Sequence, residues 1–128
     1  MQRIGIDYGS KKIGIALSDE SGVMAFPHSV IPHDKKHLGE IVRLIAERNV
    51  EEIVIGHSLN LDGNPNKIQA MIESFMMDLT LETGLPIHLE PEQYSSREAA
   101  IITGKNEQID ASAAAIILNS FITKQKNS

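Results

Sequence analysis

Three carboxylates in this sequence stand where carboxylates are costly. Asp7 ends the run RIGID at positions 3–7, Glu92 follows the apolar segment at 87–89, and Asp110 shares a helical face with Ala113, Ala114 and Ile117. An ionised carboxylate withdrawn from water is expensive unless it is paired or metal-bound. Three that converge repel one another and resist ionisation. A divalent cation resolves both problems. Oxygen donors suit Mg²⁺ or Mn²⁺, and the chain has no cysteine to offer a soft ligand. Two such ions ~3.5–4 Å apart can activate a water and stabilise the leaving oxygen of a phosphodiester. Each acid also has a plainer reading. Asp7 could brace a turn, Glu92 could be a surface loop acid, and Asp110 could complement a helix dipole. Only the three together point to metal chemistry.

The elements that would carry these acids follow from periodicity. Arg3–Asp7 and Ile13–Ser18 read as strands joined through Gly9–Ser10, a connection short enough for a hairpin. Val23–Ile31 reads as a third extended segment, and Pro27 within it points to a sheet edge. Asp34 is placed to cap a first helix whose apolar stripe is Leu38, Ile41, Val42 and Ile45. Ile53–Val54–Ile55 has the uninterrupted β-branched character of a strand covered on both faces. A second helix opens at Asn64–Pro65, repeats Ile68, Ile72, Phe75, Met76 and Leu79, and stops at Gly84–Leu85–Pro86. Ile87–Leu89 is a brief fifth strand. Ser95 and Glu98 have capping-box spacing, which predicts a short helix running to Gly104. A last helix is expected over Glu107–Thr123, and KQKNS reads as a frayed tail.

The expected fold class is therefore α/β, with a mixed five-stranded sheet. Three antiparallel strands come first, parallel strands are then added through right-handed crossovers, and helices cover both faces. Asp7 would sit where connections change direction, at the carboxyl end of the first strand, which is where sites form in open α/β sheets. Glu92 would share that rim. Asp110 would be turned toward the sheet, on a helix whose alanines allow close packing.

The length of 128 residues suits one domain over 1–128. The absence of cysteine fits a reducing compartment, and no apolar run approaches the ~20 residues of a membrane helix. The chain opens directly on a strand pattern, so the expectation is a cytoplasmic protein with no membrane partner. A formal net charge of −5 argues against a broadly basic nucleic-acid surface. Local patches remain, at Lys11–Lys12, Lys35–Lys36 and Lys124–Lys126. Surface runs of this kind are usually solvated, but Lys11 and Lys12 flank the turn after Asp7. His33 and His37 have a spacing compatible with a shared metal, but no third ligand accompanies them, so they read as surface histidines. His57–Ser58 lacks the elbow glycines of a serine hydrolase. Met76–Met77 reads as ordinary helix packing.

Four blocks resemble one family. GIDYGSKKIGIALSD at 5–19, IVIGHSLNLDG at 53–63, EQYSSREA at 92–99 and IDASAAAIILNSFI at 109–122 resemble, in order, the blocks of the YqgF/RuvX family. Its members are RNase H-like proteins described as Holliday junction resolvases and as pre-16S ribosomal RNA processing nucleases. The resemblance covers nearly the whole chain, and its acidic positions fall on Asp7, Glu92 and Asp110. It implies an RNase H-like fold and metal-dependent phosphodiester hydrolysis with Mg²⁺ or Mn²⁺. The implied substrates are structured RNA (pre-rRNA) or branched DNA. Lys11, Lys12 and Arg97 would then steer phosphates, and Asn60, Asp62 and Gly63 would shape a loop beside the site.

Departures from the family pattern are specific. The third block usually begins D-E-R, where this chain has Pro91–Glu92–Gln93. Ser58 replaces a proline. The segment 100–110 is short and keeps only Lys105 of a normally basic stretch. These departures motivate an alternative, a noncatalytic nucleic-acid or ribosome-precursor binding module of the same fold. An actin-like nucleotide site would also place Asp-x-Gly after a first strand, but it needs two domains. The expected assembly is a monomer or weak homodimer.

Overall fold

The computed structural model describes residues 2–9, 12–57, 65–91 and 109–126. Five strands form one sheet: β1 (Gln2–Tyr8), β2 (Lys12–Ser18), β3 (Ala25–Pro32), β4 (Val50–His57) and β5 (Ile87–Pro91). Their order is β3-β2-β1-β4-β5, with β1 at the centre. β1–β2 and β2–β3 are antiparallel, whereas β4 adds parallel to β1 and β5 parallel to β4. The expected mixed sheet, with its meander followed by crossovers, is the one observed. Three helices accompany it among the described residues: α1 (His37–Glu47), α2 (Pro65–Thr83) and α3 (Ile109–Lys126).

Pro27 lies on the edge strand, as its missing N–H requires. The pairing jumps from Ile15–Ser29 to Ala16–Pro27, a bulge that leaves His28 over. Asp34 does not cap α1 directly. The helix starts at His37 behind Lys36, and the Asp34 carboxylate instead accepts the Lys36 N–H at 2.8 Å, closing the turn before the helix. α2 ends as the sequence predicts, with Gly84 in the left-handed region (φ 68°) and its N–H on the Thr80 carbonyl. The short helix expected over 95–104 lies outside the described residues.

Period-two alternation divides the interior into two cores. Ile4, Ile6, Tyr8, Ile13, Ile15, Ile53 and Ile55 face one side, where α1 and α2 cover them with Ile41, Ile45, Ile72, Phe75 and Leu79. Ala16, Ala25 and Val54 face the other, where α3 supplies Ala114, Ile117, Leu118 and Phe121. The two sides differ in side-chain size. Branched residues fill the first, while the second is glycine- and alanine-rich on the strands. A Cβ on Gly5 would lie 2.8 Å from both the Ala114 carbonyl oxygen and Leu118 Cβ, so α3 rests directly on the β1 backbone.

Candidate active site

Asp7 follows Gly5 by two residues and therefore shares its face, the one α3 covers. It is half-buried, one residue short of the end of β1. Its lateral neighbours are unusual. The residue paired with Asp7 on β2 is Gly14, and the one on β4 is Gly56. Directly paired residues point their side chains to the same face, with Cβ atoms about 4.5–5.5 Å apart. Two glycines there leave the space on both sides of the Asp7 side chain without a Cβ. The row continues outward to Val30 on β3 and Glu90 on β5.

The direction of α3 follows from its contacts. The Arg3 guanidinium sits 5.8 Å from the Phe121 ring, while Gly5 meets Leu118 and Ala114. Advancing along β1 thus means going back along α3. From Gly5 to Asp7 is about 6.6 Å of strand. One turn of helix, about 5.4 Å, matches it. The first turn of α3, which carries Asp110, therefore approaches the Asp7 end of β1. Nothing is described of the Asp110 side chain, and Glu92 lies outside the described residues, one position beyond the end of β5. Lys11 and Arg97 also lie outside them. Lys12 is described: it is exposed, and its parity with Gly14 puts it on the Asp7 face of β2. Among the described residues no group of three His, Cys, Asp or Glu side chains could hold a metal. The donor chemistry at Asp7 is hard oxygen, and neither lateral neighbour sets a side chain beside it, so what is described there fits Mg²⁺ or Mn²⁺.

Glu90 was not foreseen as a buried charge. It is 4% exposed and accepts a hydrogen bond from Ser120 Oγ at 3.1 Å, with the Lys124 ammonium closing an ion pair on the same oxygen. Lys124 was expected in a frayed, solvated tail; α3 instead continues to Lys126, and this pair ties its last turns to β5. The alternation Ile87-His88-Leu89-Glu90 already put Glu90 on one face with His88, and that was the available signal. At the amino end of the sheet, Glu52 accepts from Arg3 Nε and from His88 Nε2. Burial would raise the Glu52 carboxyl, but hydrogen bonds from Arg3 and His88 outweigh it and hold it below the ordinary glutamate range. Both carboxylates are therefore structural and lie on the face that α3 covers.

A second cluster lies on the opposite face, behind Asp7. The Tyr8 ring stacks on Phe75 with centroids 4.4 Å apart, and its hydroxyl lies 3.1 Å from His33 Nε2. His33 Nδ1 is 2.7 Å from the Gly9 carbonyl oxygen, which can only accept, so Nδ1 carries the hydrogen. In the neutral ring Nε2 then accepts from Tyr8. Burial, with Asp78 adding to it, raises the Tyr8 phenol above its usual range. His37 packs against His33 with ring centroids 4.7 Å apart and donates through Nδ1 to the Asp34 carbonyl. These histidines, read from the sequence as surface residues, are half-buried and fixed by backbone carbonyls and a phenol.

Comparison with known proteins places these features in context. The family profile described as RuvX, Holliday junction resolvase, matches residues 1–124. A protein of Carboxydothermus hydrogenoformans named "Putative pre-16S rRNA nuclease" is 36% identical over 99% of this chain and 100% of its own length. One of the same name from Maridesulfovibrio salexigens is 32% identical over 97% of this chain and 99% of its own. Among solved structures, Thermus thermophilus RuvC in complex with a Holliday junction substrate superposes with a TM-score of 0.67 at 15% identity, covering 98% of this chain and 96% of that one.

Proposed function

The chain belongs to the RuvX family of Holliday junction resolvases, and from that membership we propose that it is a metal-dependent endonuclease acting on structured nucleic acid. The substrate would be a precursor of 16S ribosomal RNA or a four-way DNA junction. The single observation that carries this reading is the row Gly14–Asp7–Gly56, a carboxylate on the central strand with bare backbone on either side. A carboxylate that only braced a turn would gain nothing from two such neighbours. One that must share its oxygens with cations and a phosphate needs that room.

In this reading Asp7, Glu92 and Asp110 hold Mg²⁺ or Mn²⁺, two ions in the fullest form. Bound metal would supply an activated water and charge stabilisation at the scissile phosphate. The chain's own residues do the rest. β1 fixes Asp7 through ladders on both sides, so its carboxylate needs little reorganisation when substrate arrives. α3, seated on Gly5, presents its first turn to that carboxylate. Lys11, Lys12 and Arg97 hold phosphates and steer the strand. Among the described residues no helix is long and apolar enough to cross a membrane, and a cytoplasmic monomer or weak homodimer is the working form.

The test is cleavage of a precursor 16S transcript and of a synthetic four-way junction with Mg²⁺ or Mn²⁺. Asp7→Asn should lower kcat by at least ~10²-fold, in the range of lost transition-state electrostatics, while the melting temperature stays within a few degrees. Equal cleavage by this variant would end the assignment. Retained binding by the unaltered chain with no hydrolysis under either metal would instead favour the binding-module reading, for which Pro91 and Gln93 are the motivating residues.

A further inference from the structure

The acidic net charge leaves few cations for a nucleic-acid partner, and the structure shows how they are distributed. Arg3 is committed to Glu52, Arg43 to Glu47 and Lys124 to Glu90. Besides Arg48 at the far end of α1, the described residues Lys12, Lys35 and Lys36 are in no ion pair, and all are exposed. Chain order separates the first from the other two, but the sheet does not. Lys12 pairs with Pro32 at the end of β3, and the chain then turns through His33–Lys36 into α1.

This corner is fastened to the Asp7 end of β1. His33 bridges the Tyr8 hydroxyl and the Gly9 carbonyl, the two residues immediately after Asp7. Tyr8 is in turn clamped on Phe75, and the Asp34 carboxylate is drawn back onto the Lys36 N–H. Glu40, the other nearby acid, lies a turn into α1, where it lines a groove with Arg43 and His28. The ammonium groups of Lys35 and Lys36 are therefore carried on a braced backbone and form no ion pair with Asp34 or Glu40.

We infer that Lys35 and Lys36, continuing from Lys12, form a ridge that holds the phosphate backbone of the nucleic acid where it leaves the Asp7 site, on the β2–β3 side of the sheet. The inference rests on the endonuclease reading and adds to it the side from which substrate is held. It also offers a substitute for the basic stretch that is missing from 100–110. The Tyr8–His33–Gly9 clasp is the positioning element: it keeps the ridge in register with the strand that carries Asp7. Phosphate contacts of this kind supply affinity and orientation without reading sequence.

The experiment measures binding of a fluorescein-labelled four-way DNA junction and of a labelled RNA hairpin to the full chain in EDTA, across a salt series. The test variant is Lys35→Glu/Lys36→Glu. A control of equal charge change, Arg43→Glu/Arg48→Glu, alters positions further along α1 and at its carboxyl end. The ridge variant should weaken binding at least ~10-fold and reduce the salt slope by roughly 1.4–1.8, two phosphate contacts' worth. In cleavage assays KM should rise with kcat unchanged. The control should lose less than ~3-fold. If the unaltered chain binds neither probe, the endonuclease reading and the ridge both fall. If it binds but the two variants are equal, or the ridge variant keeps its slope, the ridge alone falls.

Discussion

Gly5→Ala is the smallest change that should separate the helix from the site. The new methyl would meet the Ala114 carbonyl oxygen and Leu118 Cβ, each at 2.8 Å. Ordinary heavy-atom contact is about 3.5–4.0 Å. Neither obstacle is the far end of a flexible side chain, so α3 must retreat by roughly 0.7–1.2 Å, the difference between these separations. Overpacking on this scale costs about 1–3 kcal/mol. For a chain of this length that is a fall in melting temperature of roughly 5–10 °C. The catalytic loss should be larger than the stability loss implies. The helix that retreats is the one whose first turn approaches Asp7, and ~1 Å of misplacement costs on the order of 10²-fold in rate. The assay is thermal denaturation alongside metal-dependent cleavage well below the melting transition. An unchanged melting curve would refute the close packing of α3 on β1. A lowered melting temperature with full kcat would refute the idea that α3's seat on Gly5 sets the geometry at Asp7.

Two further outcomes are expected. Lys124→Ala leaves Glu90 buried with only the Ser120 hydroxyl and should cost ~1–3 kcal/mol in urea denaturation, whereas adding Glu90→Gln should recover part of that loss, since a neutral amide is cheaper to bury. Glu52 titrates below the ordinary glutamate range when folded, so its contribution is present above about pH 4 and disappears as pH falls through the folded value. Glu52→Gln should therefore flatten the stability profile below about pH 4 in acid denaturation; an unchanged slope would argue against the Arg3–Glu52–His88 network.

What was legible in the sequence was what alternation and chain punctuation encode. The β-branched run at 53–55, the Pro27 edge, the Pro65 and Gly84 boundaries and the Ile72, Phe75, Met76 and Leu79 stripe of α2 are all local signals, and the structure agrees with each. The mixed sheet followed from their order. What escaped was whatever depends on pairing across long separations. Gly14 and Gly56 look like ordinary strand glycines until the register sets them beside Asp7. Glu90 looks like a rim acid until α3 brings Ser120 and Lys124 across it. His33 looks like a surface histidine because its partners, Tyr8 and Gly9, are 25 and 24 residues away in sequence. Asp34 reads as a cap in the sequence because an Asx turn and an N-cap share one sequence signature. Of the residues expected at the site, the strand of Asp7 and the helix of Asp110 are described, while Glu92, Lys11 and Arg97 lie outside the described residues.

The two faces of the sheet divide the labour by side-chain size. Isoleucines and aromatics on the α1–α2 side give the stability, with Ile4, Ile6, Ile13, Ile53 and Ile55 fully buried. That frees the α3 side to carry Gly5, Gly14, Ala16 and Gly56, residues that bury little area and would make a weak core alone. The thin side is where a helix can lie on backbone and where a carboxylate can keep open flanks. Its missing apolar energy is partly replaced by charge: Arg3–Glu52–His88 around Phe121 and Lys124–Glu90 both fasten the carboxyl half of α3. Neither engages the first turn of α3. A helix anchored by its carboxyl half keeps its first turn, which carries Asp110, clear of those ion pairs.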